Sequence, residues 1–138
     1  MIIDIIVPFS VRKKELFGTV SDEAKKIFEK IKEKPGLATV IAAKGLPDRT
    51  TLHKVYATAP GGARRLLFFC RHTRVTTAES PQVPERWVLV FYRNKGDPVG
   101  DNMSSKNASF VSQLERNMTR ALRDLTASTP ETPLYEKF

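Results

Sequence analysis

The residues of this chain best suited to chemistry are cations set at the ends of apolar runs. Lys54 lies in the run Leu52–Thr58. Arg64 and Arg65 open the run Leu66–Cys70 and Arg71 closes it, while Arg93 and Lys95 follow Trp87–Tyr92. Ammonium and guanidinium groups held side by side on extended segments can face the non-bridging oxygens of a phosphate without a metal. His72, beside Arg71, adds an imidazole that titrates near neutral pH, and Tyr92 adds a phenol. Each also has a plainer reading. Lys and Arg end many strands because they blunt edges, and Tyr92 at a strand end suits a core-edge aromatic. Arg64 and Arg65 are neighbours, so alternation sends them to opposite faces and they cannot both serve one surface.

Those side chains need a sheet to hold them. Residues 52–58, 65–71 and 87–92 read as three consecutive strands. Pro60-Gly61-Gly62 makes a hairpin between the first two, and a polar loop over 73–85 joins the second to the third. Before them, Ile2–Val7 is β-branched and stops at Pro8, which predicts a strand. Ser10 is read as the cap of a short helical piece through Phe17. Ser21 caps a firmer helix, with Asp22 and Glu23 in its first turn, an apolar stripe of Ala24, Ile27, Phe28 and Ile31, and a stop at Pro35-Gly36. Residues 37–43 fit a strand or a helical extension, and the alanines favour helix. After a loop over 96–106, Asn107 caps a last helix. Its apolar stripe runs from Phe110 through Leu114 and Met118 to Leu125, with Arg116, Arg120 and Arg123 on the far side, where a solvated face is the default reading and contact with ribosomal RNA the other. Residues 126–138 carry Pro130 and Pro133 and read as a C-terminal tail. The expected architecture is one α+β domain over residues 1–125: a small antiparallel β-sheet packed by N-terminal helices and a C-terminal helix in two layers.

Composition narrows the partners. The chain has 138 residues, with 23 Lys and Arg against 15 Asp and Glu, for a formal charge of +8. That excess favours polyanions or an acidic protein. The single cysteine, Cys70, excludes an internal disulfide and fits a reducing cytoplasm, where a buried small hydrophobe is its plain role. Cys70 and His72 share a strand face, but two ligands do not make a metal site, so no metal is expected. No apolar run reaches transmembrane length.

Taken in order, several features resemble the RelE family of bacterial and archaeal toxin–antitoxin systems. They are the helices before Lys44-Gly45-Leu46-Pro47-Asp48, the Lys54 strand, the Gly-containing turn, Arg65 with its apolar run, the Val88-to-Lys95 strand and the last helix. The similarity covers most of residues 1–125. It implies a fold like that of the microbial ribonucleases and a metal-independent, cofactor-free endoribonuclease. Such a toxin cuts messenger RNA, typically on the ribosome, by 2′-hydroxyl attack, and an acidic antitoxin neutralises it in a hetero-oligomer. ParE toxins share that fold and act on DNA gyrase instead, and a catalytically silent RNA-binding or regulatory domain is a third reading.

By the resemblance, Lys54 matches the family's basic residue on the second strand and Arg65 the phosphate-gripping arginine of the third. Lys95 falls where the family has a basic pair. Here Gly96 follows it, so Arg93 or Lys106 is the substitute. No late Tyr or His matches, which leaves Tyr92 as the nearest candidate and Tyr135 as a distant one. RNA cleavage needs loss of the 2′-hydroxyl proton, stabilisation of the phosphorane, and protonation of the leaving 5′-oxygen. Charge stabilisation is assigned to Arg65 and proton transfer to Lys54, with Lys95 in support. Tyr92 would stack a base or donate a proton. Arg64, Arg71, His72, Arg93 and Lys106 are the expected RNA contacts.

Overall fold

The computed structural model describes residues 2–41, 46–47, 49–71 and 84–138. His72 and residues 73–83 of the expected loop lie outside the described residues. The described elements are β1 (Ile3–Pro8), α1 (Phe9–Glu15), α2 (Asp22–Glu33), a 3₁₀ turn (Pro35–Leu37), β2 (Thr39–Ile41), β3 (Thr50–Ala59), β4 (Gly62–Arg71), β5 (Glu85–Asn94), α3 (Ala108–Ala127) and β6 (Tyr135–Lys137). The strands form one mostly antiparallel open sheet in the order β2-β3-β4-β5-β1-β6. The fold is α+β. β1 runs parallel to β5, an arrangement its distance along the chain permits and a hairpin would not.

Two aromatic contacts fix the layers. Phe28 of α2 meets Phe68 with ring centroids 6.3 Å apart, and Phe110 of α3 meets Phe91 at 5.9 Å. Phe91 is the partner of Leu67, and Leu67 and Phe68 point to opposite sides of β4. Helices therefore cover both faces, α2 on one and α3 with α1 on the other, rather than one face as a two-layer reading has it. This is why β4 and β5 are unbroken apolar runs: residues 66–70 and 87–92 are all buried.

Local signals explain most element boundaries. The Ser21 side chain accepts from the Ala24 N–H, and Asn107 from Ser109, so each caps its helix. Ser10 does something else. Its N–H and hydroxyl both donate to Asp124 of α3, at 2.7 and 3.0 Å, while α1 starts one residue earlier, at Phe9. Residues 39–41 form a strand, not helix. Pro35 stops α2, and the β-branched Thr39-Val40-Ile41 pairs with the edge of β3. Part of the expected tail is also ordered into the sheet. Tyr135–Lys137 pairs with β1, Phe138 exchanges backbone hydrogen bonds with Ile5, and the Phe138 ring packs on Phe28 at 5.4 Å.

One irregularity sets the functional geometry. Leu67 pairs with Phe91 but Phe68 pairs with Leu89, so Val90 is an extra residue on β5. Such a bulge reverses the alternation beyond it. Trp87 and Leu89 lie on the α2 side, and so do Tyr92 and Asn94, whereas Phe91 and Arg93 lie on the α3 side with Leu67 and Arg65. Among the described residues no helix is long and apolar enough to cross a membrane.

Candidate functional site

β1 stops at Pro8, but β5 continues to Asn94 beside the α1–α2 connection. The unpaired edge of β5 is satisfied by side chains. Tyr92 N–H donates to Glu15 Oε1 at 3.0 Å, and Asn117 Nδ2 donates to the Val90 carbonyl at 2.9 Å. A cleft of about 600 Å³ opens along this edge, lined by residues that include Lys14, Phe17, Glu23, Arg64, Tyr92 and Arg93.

Two ion networks meet in the cleft. On the α2 side, Arg64 donates to both oxygens of Glu23, at 2.9 and 3.1 Å, and the Tyr92 hydroxyl donates to Glu23 Oε2 at 2.6 Å. On the α3 side, Arg93 donates to both oxygens of Glu15, at 2.6 and 2.9 Å, and also reaches Asp97 and Gln113. Several groups of the two networks are shifted by their neighbours. The Tyr92 hydroxyl and the Arg64 guanidinium hold the Glu23 carboxyl below its ordinary value of 4.5, against the upward pull of its partial burial. Burial, and then the neighbouring Glu23 carboxylate, pushes the Tyr92 phenol up, so it stays a donor. For Asp97, burial pushes the carboxyl up, but the Gly100 N–H, Arg93 and the Val99 N–H together outweigh it and hold it low.

A carboxyl whose folded pKa lies below its unfolded one stabilises the fold above the unfolded value and loses that contribution as pH falls through the folded value. The urea midpoint of the wild type should therefore fall as pH drops from about 5 towards 3, and Glu23→Gln should fall less over the same window. Urea titrations of both proteins at several pH values check this. Parallel curves would mean that Glu23 is not held low.

The residues singled out in the sequence divide between the faces. Lys54 and Arg65 come together on the α3 side around Tyr56, whose ring is half exposed. Arg65 Cζ lies 4.0 Å and Lys54 Nζ 5.0 Å from the ring centroid. Arg65 also pairs with Asp101 at 3.5 Å, and Gly100 packs its backbone over Arg65 and Arg93, where an added Cβ would lie 2.8 Å from Arg93 Cβ. Lys95 follows β5 in an exposed turn, and its N–H donates to the Ala63 carbonyl. Tyr92 and Arg64 stand on the opposite face from Lys54 and Arg65. Arg93, an expected RNA contact, is enclosed by Glu15 and Asp97. Arg71 ends β4 six residues from Arg65, roughly 20 Å along the strand. Lys106 is exposed in the loop before α3, and His72 is outside the described residues.

Cys70 is buried, and burial with help from Glu85 pushes its thiol up to about 12, which makes it inert as a nucleophile. Among the described residues no cluster of His, Cys, Asp or Glu could hold a metal ion.

Three contributors had not been singled out. Glu15 and Glu23 complete the networks, and Phe17 stands at the cleft mouth, 94% exposed, in a left-handed backbone conformation with φ of 55°. A bulky residue there is strained, and it recovers none of that by burial. Comparison with protein-family models, curated proteins and solved structures gives no match for this chain.

Proposed function

We propose that the protein is a metal-independent endoribonuclease, the toxin of a toxin–antitoxin pair, acting on messenger RNA and held in check by an acidic partner protein. The observation that supports this best is the trio Glu23, Arg64 and Tyr92, joined by hydrogen bonds of 2.6 to 3.1 Å in an open cleft. It supplies what the reaction needs. Glu23, ionised at neutral pH, accepts the 2′-hydroxyl proton as the oxygen attacks phosphorus. Arg64 faces the non-bridging oxygens and Tyr92 donates to the developing charge. Lys14, on the cleft wall, protonates the leaving 5′-oxygen. The products are a 2′,3′-cyclic phosphate and a free 5′-hydroxyl.

A second placement of the same reaction is favoured by the exposed Tyr56 ring between Lys54 and Arg65. A base stacks on an aromatic ring while cations hold the flanking phosphates. The two placements separate by mutation. Wild type should arrest growth on expression and leave cyclic-phosphate ends on message. If the cleft does the chemistry, Glu23→Gln and Tyr92→Phe lower cleavage about 10²-fold while Lys54→Ala and Arg65→Ala keep most of it. The reverse pattern assigns the reaction to the Tyr56 surface. Intact message in arrested cells, with DNA-damage signalling, would replace the nuclease by a gyrase-directed toxin. Salt-sensitive RNA binding without arrest or cleavage would leave a silent RNA-binding domain.

A further inference from the structure

Among the described residues, a row of cations without carboxylate partners lies away from the sheet face, between α1 and α3. Lys13 and Lys14 of α1 face Arg116, Arg120 and Arg123 of α3 across two adjoining hollows of about 230 and 460 Å³, and a third of about 470 Å³ runs along α3 alone; Arg120 lines all three. Among the described residues the only acid in these walls is Glu115. Among the described residues, Arg12, Arg64, Arg65 and Arg93 each have a carboxylate partner, and none of these five cations does. Arg116 and Arg120 instead bond to uncharged groups of their own helix, Ser112 and Asn117.

This arrangement works against the fold. Arg116 and Arg120 are spaced i, i+4 and Arg120 and Arg123 i, i+3, so like charges repel along one helix face by a few tenths of a kcal/mol per pair. α1 carries basic Lys13 and Lys14 against the same side. A solvated face would ordinarily intersperse acids, as α2 does with Asp22, Glu23, Glu29 and Glu33 among its lysines.

We infer that the α1–α3 groove binds the phosphodiester backbone of a nucleic acid, beyond the cleft and joined to it at Lys14. Three features select this ligand class. The cations line both walls of a furrow, which suits a strand-shaped polyanion. The three arginines span about 10 Å of helix, enough to meet successive phosphates. No apolar side chain lines the hollows, so the wedge that a membrane-surface helix buries is missing, as are the apolar anchors of a protein interface. The groove also opens at Lys14 and Gln113 into the sheet-edge cleft, since both residues line both spaces. A strand seated in the groove is thereby led to Glu23, Arg64 and Tyr92.

The test is equilibrium binding of labelled single-stranded RNA, duplex RNA and duplex DNA of equal length, with phosphatidylserine vesicles in parallel. The full chain and the triple variant Arg116→Gln/Arg120→Gln/Arg123→Gln are compared across a salt series. The triple variant should bind nucleic acid about 10- to 100-fold more weakly, with the slope of log affinity against log salt reduced by about 2 to 3. Lys13→Gln, on the other wall, should move both quantities the same way by a smaller amount and guards against a folding defect in α3. The charge variants made on a Glu23→Gln background should weaken binding by the same factor as on wild type, so loss of cleavage and loss of binding fail separately. Tighter binding of RNA than DNA names RNA as the source of the backbone, and equal binding leaves the shared phosphodiester. Unchanged affinity and salt slope in both charge variants would overturn the inference, as would vesicle binding that alone depends on these residues.

Discussion

Glu15→Ala should lower the unfolding free energy by about 3–5 kcal/mol, an effect readable as a fall in the urea midpoint with an unchanged slope. The Glu15 side chain is 1% exposed and that of Arg93 17%. Removing the carboxylate leaves a largely buried guanidinium without its bidentate partner, and an uncompensated charge in that position is far costlier than the pair itself is stabilising. The same substitution orphans the Tyr92 N–H at the place where β1 no longer accompanies β5, and takes from Asn117 Nδ2 its weaker partner at 3.4 Å. Asp97 and Gln113 still contact Arg93, which holds the loss inside this range. Glu15→Gln keeps an acceptor for Tyr92 and should cost less than the alanine variant. A Glu15→Ala protein as stable as wild type would mean that Arg93 finds water or Asp97 at no cost.

Phe28→Ala should cost a similar amount, about 3–5 kcal/mol, through lost burial and the cavity left behind. Phe28 is 1% exposed and joins α2 to two separate parts of the sheet, Phe68 in the central strand and Phe138 beyond β6. Its loss should therefore also raise amide exchange around Phe138 and the β6 backbone. Hydrogen exchange read residue by residue distinguishes this from a uniform drop. If protection at Phe138 and Ile5 is retained while global stability falls, the Phe28–Phe138 contact does not secure the C-terminal strand.

The physical reasons for these effects were unevenly visible in the sequence. The apolar runs of β4 and β5, the Ser21 and Asn107 caps and the stripe on α2 are local signals, and they placed the α+β elements. The faces were a harder matter. Strict alternation from Trp87 would put Leu89, Phe91 and Arg93 on one side, but the extra residue at Val90 turns Phe91 and Arg93 to the other. Nothing in Val88-Leu89-Val90-Phe91 marks where the ladder slips, because every residue there is apolar and buried either way. Tyr92 was expected beside Lys54 and Arg65, and it is this slip that places it with Arg64 instead. Glu23 was legible only as an acid in a helix's first turn, a role that says nothing of Arg64, 41 residues away. Glu15 offered a better hint. It lies four residues after buried Val11 on the inward stripe of α1, and an acid on such a stripe calls for a cation. The charge row of Arg116, Arg120 and Arg123 was visible from its spacing. That it lacks acidic neighbours on α1 was not, since that depends on how two helices far apart in the chain come to lie together.

The position of β1 between β5 and β6 bears on how the chain reaches this structure. A polypeptide made from its N-terminus produces Ile3–Pro8 before either strand that flanks it, since both come from beyond residue 84. Until then the buried Ile3, Ile5, Ile6 and Val7 have no sheet to join, while the β3–β4 hairpin can already close. Assembly ordered this way is dominated by contacts between distant parts of the chain, which slows folding and prolongs exposure of a sticky segment. The cell must therefore tolerate, or shield, that first strand during synthesis.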